Sequence, residues 1–331
     1  MAMAGAAGNW DVDVVIPVYN GGRFLAEAVR SVLEQTVLPA RVIIADDGST
    51  DHTPSVAASL VELSPRVKYL ALPHKGVSAA RNAAISVSNA AFVAFLDADD
   101  VWMPNKLEKQ MEVFAGADPD VGFVHSSYFY IDEFGRNVPA MPIIPPAARG
   151  DIFLPLLFEN YVLSGSASSV VVRREVLDRA GYFDERLFHG EDWDLWLRLA
   201  AISHADYSPE QLVAIRIRSD SAQRSRNADR ALSFFEQHLL IFAKWPEHVA
   251  ARRDFVTLMR RNALLNLLPW AGNIKKINKF YYALSRHDSP LARSLFKSRA
   301  DLWLALGGML GRYGIWRLRR HLLNDRRRFL E

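Results

Sequence analysis

Cysteine is absent from this 331-residue sequence. Its absence excludes disulfide scaffolds, thiolate metal centres and cysteine nucleophiles, and it suits a reducing compartment. A long apolar run is also missing. The longest strongly apolar stretch near the end, Leu302 to Gly311, is about half of the ~20 residues that a spanning helix needs. The N-terminal MAMAGAAGNW has no basic segment followed by an apolar core, so no signal peptide is expected and the chain reads as cytoplasmic. No internal repeat stands out. Half of the residues are apolar and 23% are charged, an ordinary globular balance. The length allows one large domain with an appendage, or two domains. Net charge is +3 but uneven: from Arg293 onward ten Lys or Arg face three Asp or Glu, a local +7, which leaves −4 for the residues before it.

What is present is a repeated pattern of short apolar runs that end in acid. Asp13 to Tyr19 reads as a first strand, stopped by Asn20-Gly21-Gly22, and Arg23 to Gln35 as an amphipathic helix. Arg41 to Ala45 is a second strand running into Asp46-Asp47-Gly48-Ser49-Thr50-Asp51. A helix over Thr53 to Leu63, a strand over Val67 to Leu72, the polar turn His74-Lys75-Gly76 and a helix over Val77 to Ser86 follow. The apolar run that begins at Ala91 then stops at Asp97, Asp99 and Asp100, before a helix opened near Pro104. Such a series folds, through right-handed crossovers, into a parallel sheet flanked by helices, with the strand ends along one edge. Ligands of open α/β sheets bind at that edge.

Asp97 and Asp99 are one residue apart, so on an extended segment both side chains point the same way. Two carboxylates so placed repel unless a cation joins them, and a hard divalent ion that keeps water and takes phosphate oxygens fits that role. The alternative is a polar turn in which Asp100 or a neighbour caps the following helix.

Downstream, the pattern predicts a helix over Asn105 to Ala115, a strand over Val121 to Ser126, and an irregular, proline-rich stretch from Ile131 to Gly150. A strand over Ser168 to Val172, a short helix over Arg174 to Ala180, and a helix over Leu195 to Ala201 opened by Gly190-Glu191-Asp192-Trp193-Asp194 complete this part. Beyond about Arg218 strand signals give way to helical periods. The expected organisation is a flexible tail over 1–10, an α/β catalytic domain over 11–219 and a helical, basic region over 220–331.

Five stretches in order, VVIPVYN from Val14, DDGSTD from Asp46, RNAAI from Arg81, FLDADD from Phe95 and FDERLFHGEDWDLWLRLA from Phe183, resemble the family 2 glycosyltransferases of GT-A fold over about the first two-thirds of the chain. The resemblance implies an inverting transferase that uses a nucleotide-diphosphate sugar, a UDP-sugar first, with Mn²⁺ or Mg²⁺. It implies Asp47 facing the nucleobase with Asp46 beside it, Pro17 and Tyr19 as pocket floor, Asp97 on the ribose or sugar side, Asp99 on the metal and Asp192 as general base. A carboxylate at a helix N-terminus is expected to stay charged, which suits a base. Lys75, Arg81 and Arg218 are expected as further donor contacts. Where many relatives carry a His, Arg218 stands with Arg216 nearby, and an arginine grips pyrophosphate but ligates no metal.

Blander roles stand beside these. Asp46 and Asp47 could cap a turn, Arg81 could form a surface ion pair, and Glu191 could be an acceptor ligand or a first-turn helix residue. Of Trp193 and Trp196, one is expected to stack on an acceptor sugar and the other to pack in the core. His74, His125 and His189 lack zinc spacing and are expected to be structural. The acceptor is expected to be a glycan or lipid-linked hydroxyl. The C-terminal helices could lie on anionic lipid at the inner membrane face or pack on the catalytic domain, and no nucleic-acid module is present. The rival functions are a nucleotidyltransferase on a similar sheet and a non-catalytic glycan-binding relative.

Overall fold

Seven consecutive buried residues form strand β1 (Val12–Val18), which a strand covered by helices on both faces requires. The computed structural model describes residues 10–308 apart from 140–142, 144, 147, 160–162, 164, 165, 219–227, 268–272 and 287–289. The chain divides into two units, Met1–Ser219 and Asp220–Glu331.

In the first unit β1 is followed by α1 (Gly22–Leu33), β2 (Arg41–Asp46), α2 (Thr53–Leu63), β3 (Val67–Ala71), α3 (Val77–Val87) and β4 (Phe92–Phe95). Helix α1 buries Phe24, Leu25, Ala28, Val29 and Val32, the apolar stripe of its sequence. Then come β5 (Val101–Trp102), α4 (Lys106–Gly116), β6 (Val121–Ile131), α5 (Phe153–Glu159), β7 (Val171–Arg173), α6 (Arg174–Ala180), α7 (Glu191–Ala200) and β8 (His204–Arg216). One eight-stranded sheet has the order β3-β2-β1-β4-β7-β6-β8-β5. Strands β1 to β4 pair in parallel, β7 runs against both β4 and β6, β8 runs with β6, and β5 runs against β8. All strands but β7 and β5 therefore point one way, and their carboxyl ends share one edge.

Four expectations need correction. No strand was assigned over 204–216, yet β8 is there. Its register against β6 jumps between Ser208 and Gln211, so Pro209 and Glu210 sit in a bulge that breaks the two-residue alternation. The acidic segment after β4 is not extended but a turn, closed by the Asp100 amide on the Asp97 carbonyl at 3.0 Å. Asp100 also caps no helix: β5 intervenes, and α4 starts after Asn105. The strand expected over Ser168 to Val172 is a 3-10 turn, Ala167–Ser169, followed by β7.

The second unit is helical: α8 (Ala228–Phe242), α9 (Pro246–Ala251), α10 (Phe255–Leu267), α11 (Ile274–Ser285), α12 (Pro290–Ser294) and helical residues 299–308. Its apolar centre includes Phe235 edge-on to Phe280 and Phe242 edge-on to Phe255. The strongly basic stretch around Arg312 to Arg328 lies outside the described residues. Among the described residues no helix is long and apolar enough to cross a membrane.

Candidate active site

The end of β2 sends two carboxylates in different directions. Asp46 is buried, and its carboxylate accepts from the Ser49 amide at 2.8 Å and the Tyr69 hydroxyl at 2.7 Å. Burial, and then the hydrogen bond to Asp46 and the Asp46 charge, push the Tyr69 phenol up to about 12, so it remains a donor. Asp47 accepts from the Lys75 amide on Oδ1 at 2.7 Å and the Gly76 amide on Oδ2 at 2.9 Å. Lys75 thus reaches Asp47 through its backbone. His74 Nδ1 stands 2.8 Å from Asp47 Oδ2, and its ring stacks on Tyr19 with centroids 4.2 Å apart. Gly48 permits that approach: it has φ +75, and a Cβ there would lie 2.9 Å from the His74 amide nitrogen. Pro17 is buried within β1, aligned with Ala45.

The acid turn after β4 separates its three carboxylates. Asp100 is buried and receives the Ser168 hydroxyl at 2.6 Å, the Ser166 hydroxyl at 3.0 Å and the Arg216 amide at 3.0 Å. Burial, then the neighbouring Asp99 and Asp97 charges, drive its pKa well above the carboxylate range. Asp100 is a knot that ties the turn to β8 and to the 3-10 turn. The Ser168 carbonyl is in turn held by the Trp102 indole N–H at 2.9 Å. Arg216 is pinned by the Asp99 carbonyl at 2.8 Å, the Asp132 carbonyl at 3.2 Å and Glu27 at 2.6 Å. Arg218 reaches Asp99 Oδ2 at 3.2 Å. Phe24 lies beneath both guanidinium groups, 4.8 Å from that of Arg216 and 5.2 Å from that of Arg218. Burial, followed by the Asp97 charge, raises the Asp99 pKa, and Arg218 opposes them.

Arg81, on α3, joins the acid turn to α7. Its side chain is only 4% exposed, and it donates to Asp97 Oδ1 at 2.8 Å and Glu191 Oε1 at 3.0 Å. The Phe183 ring lies 5.0 Å from its guanidinium carbon. Burial alone would lower the Arg81 pKa; the Asp97 and Glu191 charges outweigh it and raise the value, so the group is permanently charged. Arg81 is no surface ion pair, and Glu191 is the carboxylate that closes the bridge.

Asp192 follows at the start of α7, where Gly190 precedes the helix with left-handed φ 74. Its Oδ1 accepts from the Trp193 amide at 2.7 Å. Burial first, then the Glu191 charge, push its carboxyl up to about 6, while Arg81 and the Trp193 amide pull it down. The helix terminus therefore does not act alone: burial and the Glu191 charge work against it, though a carboxyl near 6 is still charged at neutral pH. Trp193 needs correction too. Both it and Trp196 are buried, at 5% and 4% exposure, and the Trp193 indole N–H donates to the Leu156 carbonyl at 2.9 Å, so neither offers a face to a sugar.

Arg81 therefore brings Asp97 and Glu191 together, with Asp192 next in the chain, and Arg218 and Asp99 meet beside Asp97. Asp46, Asp47, Tyr19 and Lys75 gather at the neighbouring strand end. Ser168 and Phe24 escaped sequence reasoning because they act through long-range partners; the sequence marks Arg216 only as a neighbour of Arg218, and His74 only as a polar-turn, structural residue. Among the described residues no cluster of three His, Asp or Glu is arranged to hold a metal. Asp99 nonetheless suits a hard cation that completes its shell with phosphate and water. It is a partly buried carboxylate beside another one, and it already draws the Arg218 cation.

A sequence model described as glycosyl transferase family 2 matches residues 13–180, so Asp192 and β8 lie beyond the match. An uncharacterized glycosyltransferase of Rickettsia prowazekii is 29% identical over 230 residues, 68% of this chain and 69% of that protein. The succinoglycan biosynthesis protein ExoO of Rhizobium meliloti is 30% identical over 56% of this chain and 54% of its own length. Among solved structures, S. aureus TarS 1-349 in complex with UDP-GlcNAc aligns over 91% of this chain and 92% of that one, with TM-score 0.58 and 15% identity. The mannosyltransferase PcManGT from Pyrobaculum calidifontis, solved with GDP-Man and Mn²⁺, aligns over 96% and 86%, with TM-score 0.54 and 20% identity. At these identities the likeness to the two solved structures is one of fold, the GT-A architecture.

Proposed function

The chain belongs to glycosyl transferase family 2 and is a glycosyltransferase; on that footing we propose that it transfers a sugar, with inversion, from a nucleoside diphosphate to a hydroxyl on a glycan or lipid-linked acceptor. The nucleotidyltransferase and the non-catalytic relative have no observation in their favour. The observation that carries the proposal is the Arg81 bridge, which holds the acid turn after β4 against the helix that begins Glu191-Asp192.

Asp192 is the general base in this scheme. An acceptor hydroxyl is a weak nucleophile, and direct displacement needs a carboxylate within hydrogen-bond reach on the face opposite the leaving group. A carboxyl near 6 is ionised at neutral pH and still basic enough to take the proton. Asp97 faces the ribose or sugar of the donor, and Arg81 keeps that carboxylate from drifting towards Asp192. Asp47 and Tyr19 receive the nucleobase, with Asp46 holding the turn behind them. Asp99 would hold Mn²⁺ or Mg²⁺, which supplies positive charge to the departing diphosphate when bound. Arg218 supplies a second positive group at the same place, as a fork for phosphate oxygens. The complexes of TarS with UDP-GlcNAc and of PcManGT with GDP-Man and Mn²⁺ support the donor class and the metal for this chain.

We propose in addition a peripheral contact of the C-terminal unit with anionic lipid, to which its exposed Ile274, Tyr282 and Leu304 and exposed Lys275, Lys279 and Arg299 would contribute. Failure to sediment with anionic vesicles at physiological salt would remove that part of the proposal.

The decisive experiment is a screen of nucleotide sugars for thermal stabilisation with and without Mn²⁺, followed by transfer assays. Asp192→Asn should abolish transfer and retain donor binding, whereas Asp99→Ala should weaken metal-dependent donor binding. Near-normal turnover by Asp192→Asn would overturn the assignment of the base.

A further inference from the structure

Tyr19 and Asp47 offer what a nucleobase needs, a flat ring to stack on and a carboxylate to accept an N–H, and His74 takes up both. The two rings are 20° from parallel with centroids 4.2 Å apart. His74 Nδ1 is 2.8 Å from Asp47 Oδ2 and 3.0 Å from the Asp47 carbonyl oxygen. Both neighbours are acceptors, so Nδ1 carries the hydrogen. His74 therefore presents a planar heterocycle with its N–H aimed into two converging acceptors. Uracil and guanine present the same pattern with their ring N–H. Cytosine and adenine would put a bare ring nitrogen against those oxygens.

The imidazole is nevertheless held loosely and its backbone tightly. The His74 side chain is 58% exposed, against 5% for that of Asp47. The surrounding loop is fixed without the ring. The Leu72 amide bonds the Asp46 carbonyl at 2.9 Å, and the Lys75 and Gly76 amides bond the Asp47 carboxylate. Rotation about the His74 side-chain bonds would open the Tyr19 face and one position on Oδ2 while Asp47 stays in place.

We propose that His74 is an internal stand-in for the donor nucleobase, displaced from Tyr19 and Asp47 on binding, and that the vacated position selects bases with a ring N–H. The inference rests on the nucleotide-sugar reading of the same site. His74 is then a specificity-determining competitor and not a structural loop residue. An exposed ring stack is a weak contact, so its removal should tighten binding by about three- to tenfold.

Calorimetric titration of UDP, GDP, CDP and ADP into the full chain and into His74→Ala tests this, with melting curves confirming that the variant folds. Tighter binding of UDP or GDP by His74→Ala is expected, with CDP and ADP weaker in both proteins. In the unaltered chain, the His74 Hε1 resonance should lose the ring-current shift imposed by Tyr19 when UDP or GDP saturates the site. Equal or weaker binding by His74→Ala, a preference for CDP or ADP, or an unmoved His74 resonance at saturation would overturn the inference and leave the nucleotide-sugar reading standing. Failure of all four nucleotides to bind either protein would overturn both.

Discussion

Exchanging Glu191 for Gln perturbs the proposed base without touching it. The Asp192 carboxyl stands at about 6 rather than 3.8 because of burial first and the Glu191 charge second, opposed by Arg81. A base works only when ionised, so kcat/KM should climb with pH through about 6 and lie near a tenth of its plateau one unit below that. Glu191→Gln leaves the burial in place and removes the second cause. Arg81 loses one of its two carboxylate partners and pulls Asp192 in the same direction. The acid limb must therefore move down, and each pH unit of movement corresponds to about 1.4 kcal/mol. Arg81→Gln must move it up, because it removes the cation that favours the ionised form. The assay is nucleoside diphosphate release at limiting acceptor across the acid limb, with donor titration confirming that each variant is folded. A limb that stays fixed or rises in Glu191→Gln, or that falls in Arg81→Gln, refutes the reasoning.

Further outcomes follow from the same contacts. Folded Asp192 binds its proton more tightly than the unfolded chain does, so it costs stability as pH rises from 3.8 through about 6. Asp192→Asn should thus stabilise the protein at pH 7.5 by roughly 1–2 kcal/mol after allowance for solvent screening, with no gain below about pH 4; a lower melting temperature at pH 7.5 would contradict burial as the cause. Arg218 and a metal compete for Asp99, so Arg218→Ala should tighten Mn²⁺ binding to the donor-free enzyme, followed by electron paramagnetic resonance of free Mn²⁺, and weaken metal-free UDP binding. Unchanged Mn²⁺ affinity would show that the 3.2 Å ion pair exerts no such hold. Gly48→Ala places a Cβ 2.9 Å from the His74 amide nitrogen at φ +75, which should cost about 1–2 kcal/mol of stability in denaturant titration; a neutral effect would mean that the 72–76 loop yields freely.

The strands β1, β2 and β4 were legible because burial on both faces leaves a continuous Val, Ile and Ala run, and their helices because the apolar stripe returns every three or four residues. Strand β8 was not. Pro209 and Glu210 interrupt its alternation, and only pairing with β6 shows that the interruption is a bulge. The acidic residues were visible as a group, but their separate tasks were not. Asp100 looks like Asp99 in the sequence, and it is the hydroxyls of Ser166 and Ser168, over sixty residues away, that make it a knot. The helix terminus that favours a charged Asp192 is visible in the sequence, whereas the burial and the Glu191 charge that push its carboxyl up to about 6 are not. Trp193 turned inwards for a similar reason: its indole N–H bonds the carbonyl of Leu156, on another helix.

The Arg81 bridge has a consequence for anyone recombining such enzymes. Arg81 and Asp97 lie inside the stretch matched by the family, and Glu191 lies outside it. A portion ending near residue 180 is best joined to a continuation that brings a carboxylate to the same guanidinium. Without it a cation that is 4% exposed loses half of its compensation, and the cost of that buried charge would act as a compatibility check at the seam. Chimeras lacking an acidic residue at the start of the incoming helix should melt at lower temperature than those that carry one.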